Sequence, residues 1–233
     1  MIGVILGFIS TVLVMFFSLE GGLGQYFHFH SVLIVGVGTI TILIFSTPWP
    51  VLQSIGRSVK SLFGPEETIN NYREELAKLA DNRDGLPPSK HEFIAYAQEI
   101  WTQGVDPDLF IVLSSQKKKE IEARYSDAVQ SLKNLAKYPP ALGMTGTVMG
   151  MIGLFGTLDS NKGNIGQSLS LAMTATFLGL VLTNAIISPL ADRLHVKQIN
   201  QHRMMDNIYE ILLLINQGEP LSLIKEELKV RAA

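Results

Sequence analysis

The sequence predicts an all-α, polytopic membrane protein with four transmembrane helices and a helical cytoplasmic domain. Three observations carry this. Four apolar segments each approach one bilayer thickness. Lys and Arg are confined almost wholly to two stretches between and after them. The longest stretch between spans has helical rather than strand periodicity. Of the 233 residues, 47% are hydrophobic and 17% charged, a balance that suits a chain whose apolar residues come in blocks.

The first apolar segment is Met1 to Leu19. A secretion signal has a positively charged start and a small-residue cleavage site. Here no Lys or Arg precedes Arg57, so the segment reads as a retained span. The second runs from about Ser31 to Ser46 and is closed by Thr47-Pro-Trp-Pro. Two prolines stop the helix there, and Trp49 suits the membrane interface. The third covers about Pro140 to Leu158 and the fourth about Gln167 to Leu190.

Charge sets the topology. Of 19 Lys and Arg, 12 lie between Arg57 and Lys137 and 6 follow Leu190; the connector at residues 20–30 has none and that at 159–166 only Lys162. The positive-inside rule therefore puts the long middle segment and the C-terminal tail in the cytoplasm. An even number of spans returns the N-terminus to the same side. The expected organisation is residues 1–50, the first two spans; 51–138, a cytoplasmic helical domain; 139–192, the last two spans; and 193–233, C-terminal amphipathic helices.

Within the cytoplasmic segment, Ile69, Tyr72, Leu76 and Leu79 form a helical stripe that Gly85-Leu-Pro-Pro interrupts. A second helix spans about Ser89 to Thr102 and ends at Gly104. Asp106 and Pro107 then supply the N-cap and first residue of a third, which runs to Tyr138-Pro139. After the fourth span, Arg193 to Gln217 forms a further amphipathic helix. Gly218 ends it, and Pro220 opens a short last one.

Composition excludes several functions. A formal charge of −2 gives no basic excess for nucleic acid. With no cysteine there are no disulfides and no thiolate chemistry. No nucleotide-binding glycine motif, nucleophile–base pair or three-ligand metal spacing is present, so no enzyme, no catalytic residue, no metal site and no cofactor is expected. His28 and His30 lack a third ligand, as do His195 and His202.

The informative stretch begins at Tyr138. Gly143, Gly146, Gly150 and Gly153 recur at helical spacing, which lets helix backbones approach closely where lipid supplies no hydrophobic drive. Thr147 lies two turns beyond Pro140, and Thr183 two turns beyond Thr176, with Pro189 near the cytoplasmic end of the same span. A membrane threonine commonly bonds the carbonyl four residues back; two facing rows of them also make a polar seam. Between Pro140 and Leu190 the only ionisable residues are Asp159 and Lys162, both in a connector. An ion path through a membrane usually needs a buried carboxylate. These helices offer hydroxyls but no acid, so if they line a path a partner must bring one.

Pro140-Ala-Leu-Gly-Met-Thr-Gly-Thr-Val-Met-Gly, Ala175-Thr-Phe-Leu-Gly, Ile187-Ser-Pro-Leu-Ala-Asp and the tail Asn216-Gln-Gly-Glu-Pro carry a resemblance over nearly the whole chain. The sequence resembles the flagellar stator A subunit, the MotA/PomA family, within the wider MotA/TolQ/ExbB group. The resemblance implies a multi-pass protein of the bacterial inner membrane. Five copies would ring a dimer of a MotB/PomB-like single-span subunit whose aspartate carries the coupling ion, sodium or proton. Pro140, Pro189, Thr147 and Thr176 match the family's ion-path positions, and hydroxyl oxygens suit sodium. For contact with a rotor protein of the flagellar switch, Arg83 matches the first charged element. Pro87-Pro-Ser-Lys-His-Glu then departs from the pattern, leaving Glu92 as the acidic candidate. The alternative within the group is an ExbB/TolQ-like energiser of envelope transport or gliding. Outside it stands a four-helix scaffold with no ion path.

Overall fold

The computed structural model describes residues 28–62, 64, 68–82, 87–157 and 165–231, with 7, 10 and 13. The expected span Met1 to Leu19 lies almost entirely outside them, as does Arg83. Every element among the described residues is helical. The chain packs as two units, Met1–Phe63 with Asp127–His195 and Gly64–Ser126 with Val196–Ala233.

In the first unit, α1 (Phe29–Ser46) is long and apolar enough to cross a membrane, and includes one wide turn at Leu33–Val37. It ends where Thr47 turns extended. Pro48 and Pro50 do not end helical structure for long: α2 (Trp49–Ser61) begins at once, with Pro50 in its first turn, where the missing N–H costs nothing. The sequence reading did not foresee α2, whose inward face buries Ile55 and Ser58.

The third predicted span is α6 (Tyr138–Thr157), 20 residues long. Its glycines, threonines and leading prolines dilute its hydropathy, and it is not among the two described helices that are apolar enough by composition to cross a membrane. The second of those is α7 (Ile165–Gln217), 53 residues without a break. A separate helix from Arg193 was expected; instead the fourth apolar segment runs straight into it. Pro189 does not break the helix because the turn before it, Leu182–Ile187, widens. Proline has no N–H for the carbonyl four residues back and its ring crowds that carbonyl, and a wide turn absorbs both defects.

What joins α6 to α7 is the absence of side chains. A Cβ on Gly146 would lie 2.5 Å from the Cβ of Ala175, and one on Gly150 would lie 2.8 Å from both Ala172 Cβ and the Ser168 carbonyl. Gly143 sits as tightly, 2.9 Å from the Ala175 carbonyl. Where burying an apolar side chain gains nothing over lipid, such backbone proximity supplies the dispersion energy that holds helices together. Gly153 has only ordinary contact and Gly156 none, so the seam loosens toward the end of α6.

The second unit follows soluble-protein rules. It contains α3 (Arg73–Asp81), α4 (Glu92–Thr102), most of α5 (Pro107–Leu135), the end of α7 and α8 (Leu221–Val230). The predicted stripe is its core edge: Ile69, Leu76 and Leu79 are buried against Phe93, Ile208 and Leu228. Asp106 caps α5, its carboxylate accepting the Asp108 N–H at 3.0 Å. Gly104 and Gly218 take positive φ, 66° and 76°, to end α4 and α7. At Gly218 the Glu219 N–H reaches the Leu214 carbonyl at 3.1 Å, closing the last turn. The tail motif has a local task. Asn216 accepts from Trp101 Nε1 at 3.2 Å and donates to the Pro107 carbonyl at 3.1 Å, while Trp101 stacks on Phe110.

Overpacking the α6–α7 seam tests this account. Gly146→Val should lower stability by about 2 kcal/mol, seen as a reduced thermal midpoint of the purified chain in detergent. Gly156→Ala, with open space around it, should leave the midpoint unchanged.

Candidate functional site

The α6–α7 seam determines what the threonines can do. With Gly143 drawn against Ala175 and Thr176, and Gly150 against Ala172, Thr147 and Thr176 come into direct hydroxyl–hydroxyl contact. Thr147 Oγ1 lies 3.1 Å from the carbonyls of both Gly143 and Ala172. Thr176 Oγ1 lies 3.4 and 3.5 Å from the same two carbonyls. Each threonine thus reaches the carbonyl four residues back in its own helix and its counterpart across the seam. Four oxygens converge on one half-buried spot.

Two hydroxyl protons serve this cluster, and each hydroxyl donates only once. Whatever their arrangement, unused lone pairs remain. A cluster of this kind can ligate a cation or accept a hydrogen bond from a protonated acid. It cannot carry charge itself, and among the described residues of α6 and of α7 as far as Leu190 there is no Asp, Glu, Lys or Arg. An ion path through a membrane usually needs a carboxylate, which these described residues do not supply.

The prolines that open α6 and Thr183 form a second arrangement, two turns further along α7. Pro140 has no N–H, so the Ala136 carbonyl loses its helical donor. Thr183 Oγ1 supplies one, at 3.0 Å. Gly179 lies against the Pro139 carbonyl, with the Pro140 Cα 3.2 Å from its would-be Cβ, and only a residue without a side chain allows that approach. Pro140 is half-buried here, whereas Pro189 is exposed on α7 beyond the wide turn. Thr147 and Thr176 are therefore brought together, and Thr183 is bound to the entry of α6.

Sequence reasoning missed a third polar contact. Ser31, fully buried in α1, lies 2.8 Å from the Thr174 hydroxyl and donates to the Leu171 carbonyl at 3.2 Å. Thr174 faces α1 while Thr176 faces α6, a two-residue offset that turns successive hydroxyls to different neighbours. A serine within an apolar run was the only available signal.

Glu92 sits in the second unit at the start of α4, half-exposed. It accepts from Arg124 Nη2 at 2.5 Å and pairs with Lys117 Nζ at 3.2 Å. Lys117 pairs in turn with Glu120 at 3.2 Å. Burial pushes the Glu92 carboxyl up, but the hydrogen bonds and charges of Arg124 and Lys117 outweigh it and hold the group below its ordinary value. Burial likewise lowers Lys117, and its two carboxylate partners more than reverse the effect. The rotor-facing candidate thus braces α4 onto α5.

With this geometry established, comparison with known proteins is informative. The family model of the MotA/TolQ/ExbB proton channel family matches residues 88–207. Motility protein A of Borreliella burgdorferi is 24% identical over 232 residues, covering 95% of this chain and 88% of its own length. Chemotaxis protein PomA of Vibrio alginolyticus is 25% identical over 245 residues, covering 98% and 92%. The solved structure of C. jejuni MotAB superposes with a TM-score of 0.82 at 22% identity, covering 99% of this chain and 95% of that one. The flagellar MotAB stator complex of Bacillus subtilis gives 0.78 at 19% identity, covering 95% and 92%. These two establish a shared fold.

The Glu92 brace has a pH signature. Its folded carboxyl is held below the unfolded value of about 4.3. Its stabilisation is therefore fully present above that value and is lost as pH falls through the lowered folded one. The thermal midpoint of the intact chain should exceed that of Glu92→Gln at pH 7, and the gap should close toward pH 3. A gap that does not change with pH would mean packing, not charge, holds α4.

Proposed function

The chain belongs to the MotA/TolQ/ExbB proton channel family, and from that premise we propose that it is the A-type subunit of a flagellar stator. In this proposal it crosses the bacterial cytoplasmic (inner) membrane four times, with both termini in the cytoplasm. Five copies surround a dimer of a MotB/PomB-like single-span subunit, and the cytoplasmic helices act on a rotor protein of the flagellar switch. Support comes from the relatives named Motility protein A and PomA, matched along nearly the full chain, and from the fold shared with two MotAB structures.

The observation that carries the reading is the hydroxyl cluster of Thr147 and Thr176 with two backbone carbonyls, and no Asp or Glu among the described residues of α6 and of α7 as far as Leu190. A carboxylate brought by the partner would complete a site for one cation. We take sodium as the coupling ion, because hard oxygen ligands suit it. An ion held between the partner's carboxylate and these oxygens neutralises the acid; its departure restores the charge and changes which helix contacts are favourable. One charge crossing about 100 mV releases roughly 2.3 kcal/mol, enough to bias a step of the ring. Pro140 and Pro189 both shape the cytoplasmic end of this wall, and Thr183 fixes the entry of α6 upon α7.

Swimming speed against sodium concentration at constant proton-motive force tests the ion: speed should rise with sodium, and a speed indifferent to it would identify the proton instead. Thr147→Val with Thr176→Val keeps side-chain shape and removes both hydroxyl oxygens. Swimming should slow roughly tenfold, the factor set by about 1.4 kcal/mol of lost coordination, at unchanged membrane level, and Thr147→Ser with Thr176→Ser should restore it. Normal motility in the valine variant would eliminate the hydroxyl path.

A further inference from the structure

All of the ion pairs among the described residues lie in the second unit, in three groups centred on Glu92, on Lys118 with Asp206, and on Arg231. The first unit carries five cations on the helical segments next to its spans: Arg57, Lys60, Lys133, Lys137 and Arg193. None forms an ion pair with a described residue. Arg57 only approaches the Ser54 hydroxyl at 3.5 Å, and Lys137 donates to Asn134 Oδ1 at 3.1 Å. Asp127 and Asp192 are the described acids of this unit, and both stand exposed and outnumbered.

These cations belong to one cross-section of the unit. Ile55 of α2, Ala128, Val129, Leu132 and Leu135 of α5, and Ile187, Ala191 and Leu194 of α7 form a single buried cluster. The cations project from the outer faces of the same three segments, where Arg57, Lys60, Lys137 and Arg193 are exposed. Each segment adjoins an apolar one. Lys137 immediately precedes α6, and Arg193 follows Pro189 by one turn. Lys60 is about 16 Å along α2 from Trp49, at 1.5 Å per residue. Trp49 is 67% exposed beside Phe45 at 93%, as befits residues at a lipid interface.

We propose that this collar binds anionic phospholipid headgroups of the adjoining leaflet, and that anionic lipid stabilises the first unit. Long cationic side chains at a membrane border reach headgroup phosphates easily, and a juxtamembrane group of this size attracts an anionic leaflet strongly. Cations without a carboxylate partner are readily redirected, whereas Lys117, Lys118, Arg124 and Arg231 of the second unit already have carboxylates. The inference requires the first unit to be embedded in a bilayer; it depends on neither the coupling ion nor the rotor.

The test is the thermal midpoint of the full chain in mild detergent with added phosphatidylglycerol, phosphatidylcholine or inorganic phosphate. Phosphatidylglycerol should raise the midpoint by about 3–5 °C more than phosphatidylcholine, and phosphate should not reproduce the increment. The combined variant Arg57→Gln, Lys60→Gln, Lys137→Gln and Arg193→Gln should lose it, while the exchange R57K, K60R, K137R and R193K should keep it. The increment should also shrink as salt rises from about 0.05 to 0.5 M, a readout that needs no variant. Equal effects of the two lipids, an equal effect of phosphate, a glutamine variant that still responds, or an increment indifferent to salt would each overturn the proposal. Failure of the stator reading would appear separately, as normal swimming in the threonine-to-valine variant with the lipid response intact.

Discussion

Everything in the first unit follows from how closely α6 and α7 approach. Gly143, Gly146 and Gly150 let the helix backbones meet at Ala172 and Ala175, with no room for one further methyl group. That approach is what places Thr147 and Thr176 hydroxyl to hydroxyl, each within reach of two carbonyls. At a distance set by leucines, each threonine would bond only the carbonyl behind it and the pair would not exist. Gly179 repeats the device at the other end, admitting the Pro139 carbonyl so that Thr183 can serve the Ala136 carbonyl that Pro140 orphans.

The two units therefore solve the same packing problem with different materials. Along the α6–α7 seam the first holds its helices by small residues, hydroxyls and carbonyls, and α6 leaves large apolar side chains such as Val148, Ile152 and Phe155 on the outside. The second buries its large side chains, among them Phe93, Phe110 and Ile208, and ties its surface with ion pairs. This is the difference expected between a solvent that competes for apolar surface and one that does not. The proposed role of the polar seam needs the former setting, where water is scarce and an uncharged oxygen cluster is a meaningful ligand.

Much of the fold was legible because its signals are local. The stripe Ile69, Leu76 and Leu79, the cap at Asp106, the stops at Gly104 and Gly218 and the restart at Pro220 all depend on neighbouring residues alone. The continuity of α7 through Pro189 was not legible. A proline normally ends a helix, and only the backbone shows that a wide turn has absorbed the defect. The amphipathic α2 was hidden by the prolines that begin it. In the candidate site, Thr147 and Thr176 could be singled out by spacing and resemblance, but Ser31 and Thr174 could not, since their contact joins segments 143 residues apart.

By itself the sequence determined which segments are apolar, which way the charges divide, and that the last two long apolar segments hold hydroxyls and no acid. Those properties belong to composition and short-range order, which survive in any conformation. Tertiary structure alone decided that two threonines share one oxygen cluster while a third caps an orphaned carbonyl, and that Glu92 is bound to Arg124 and Lys117. Each of these is a distance between residues remote in the chain. Such distances are set by where glycine and alanine let backbones meet, and no periodicity within a single helix records them.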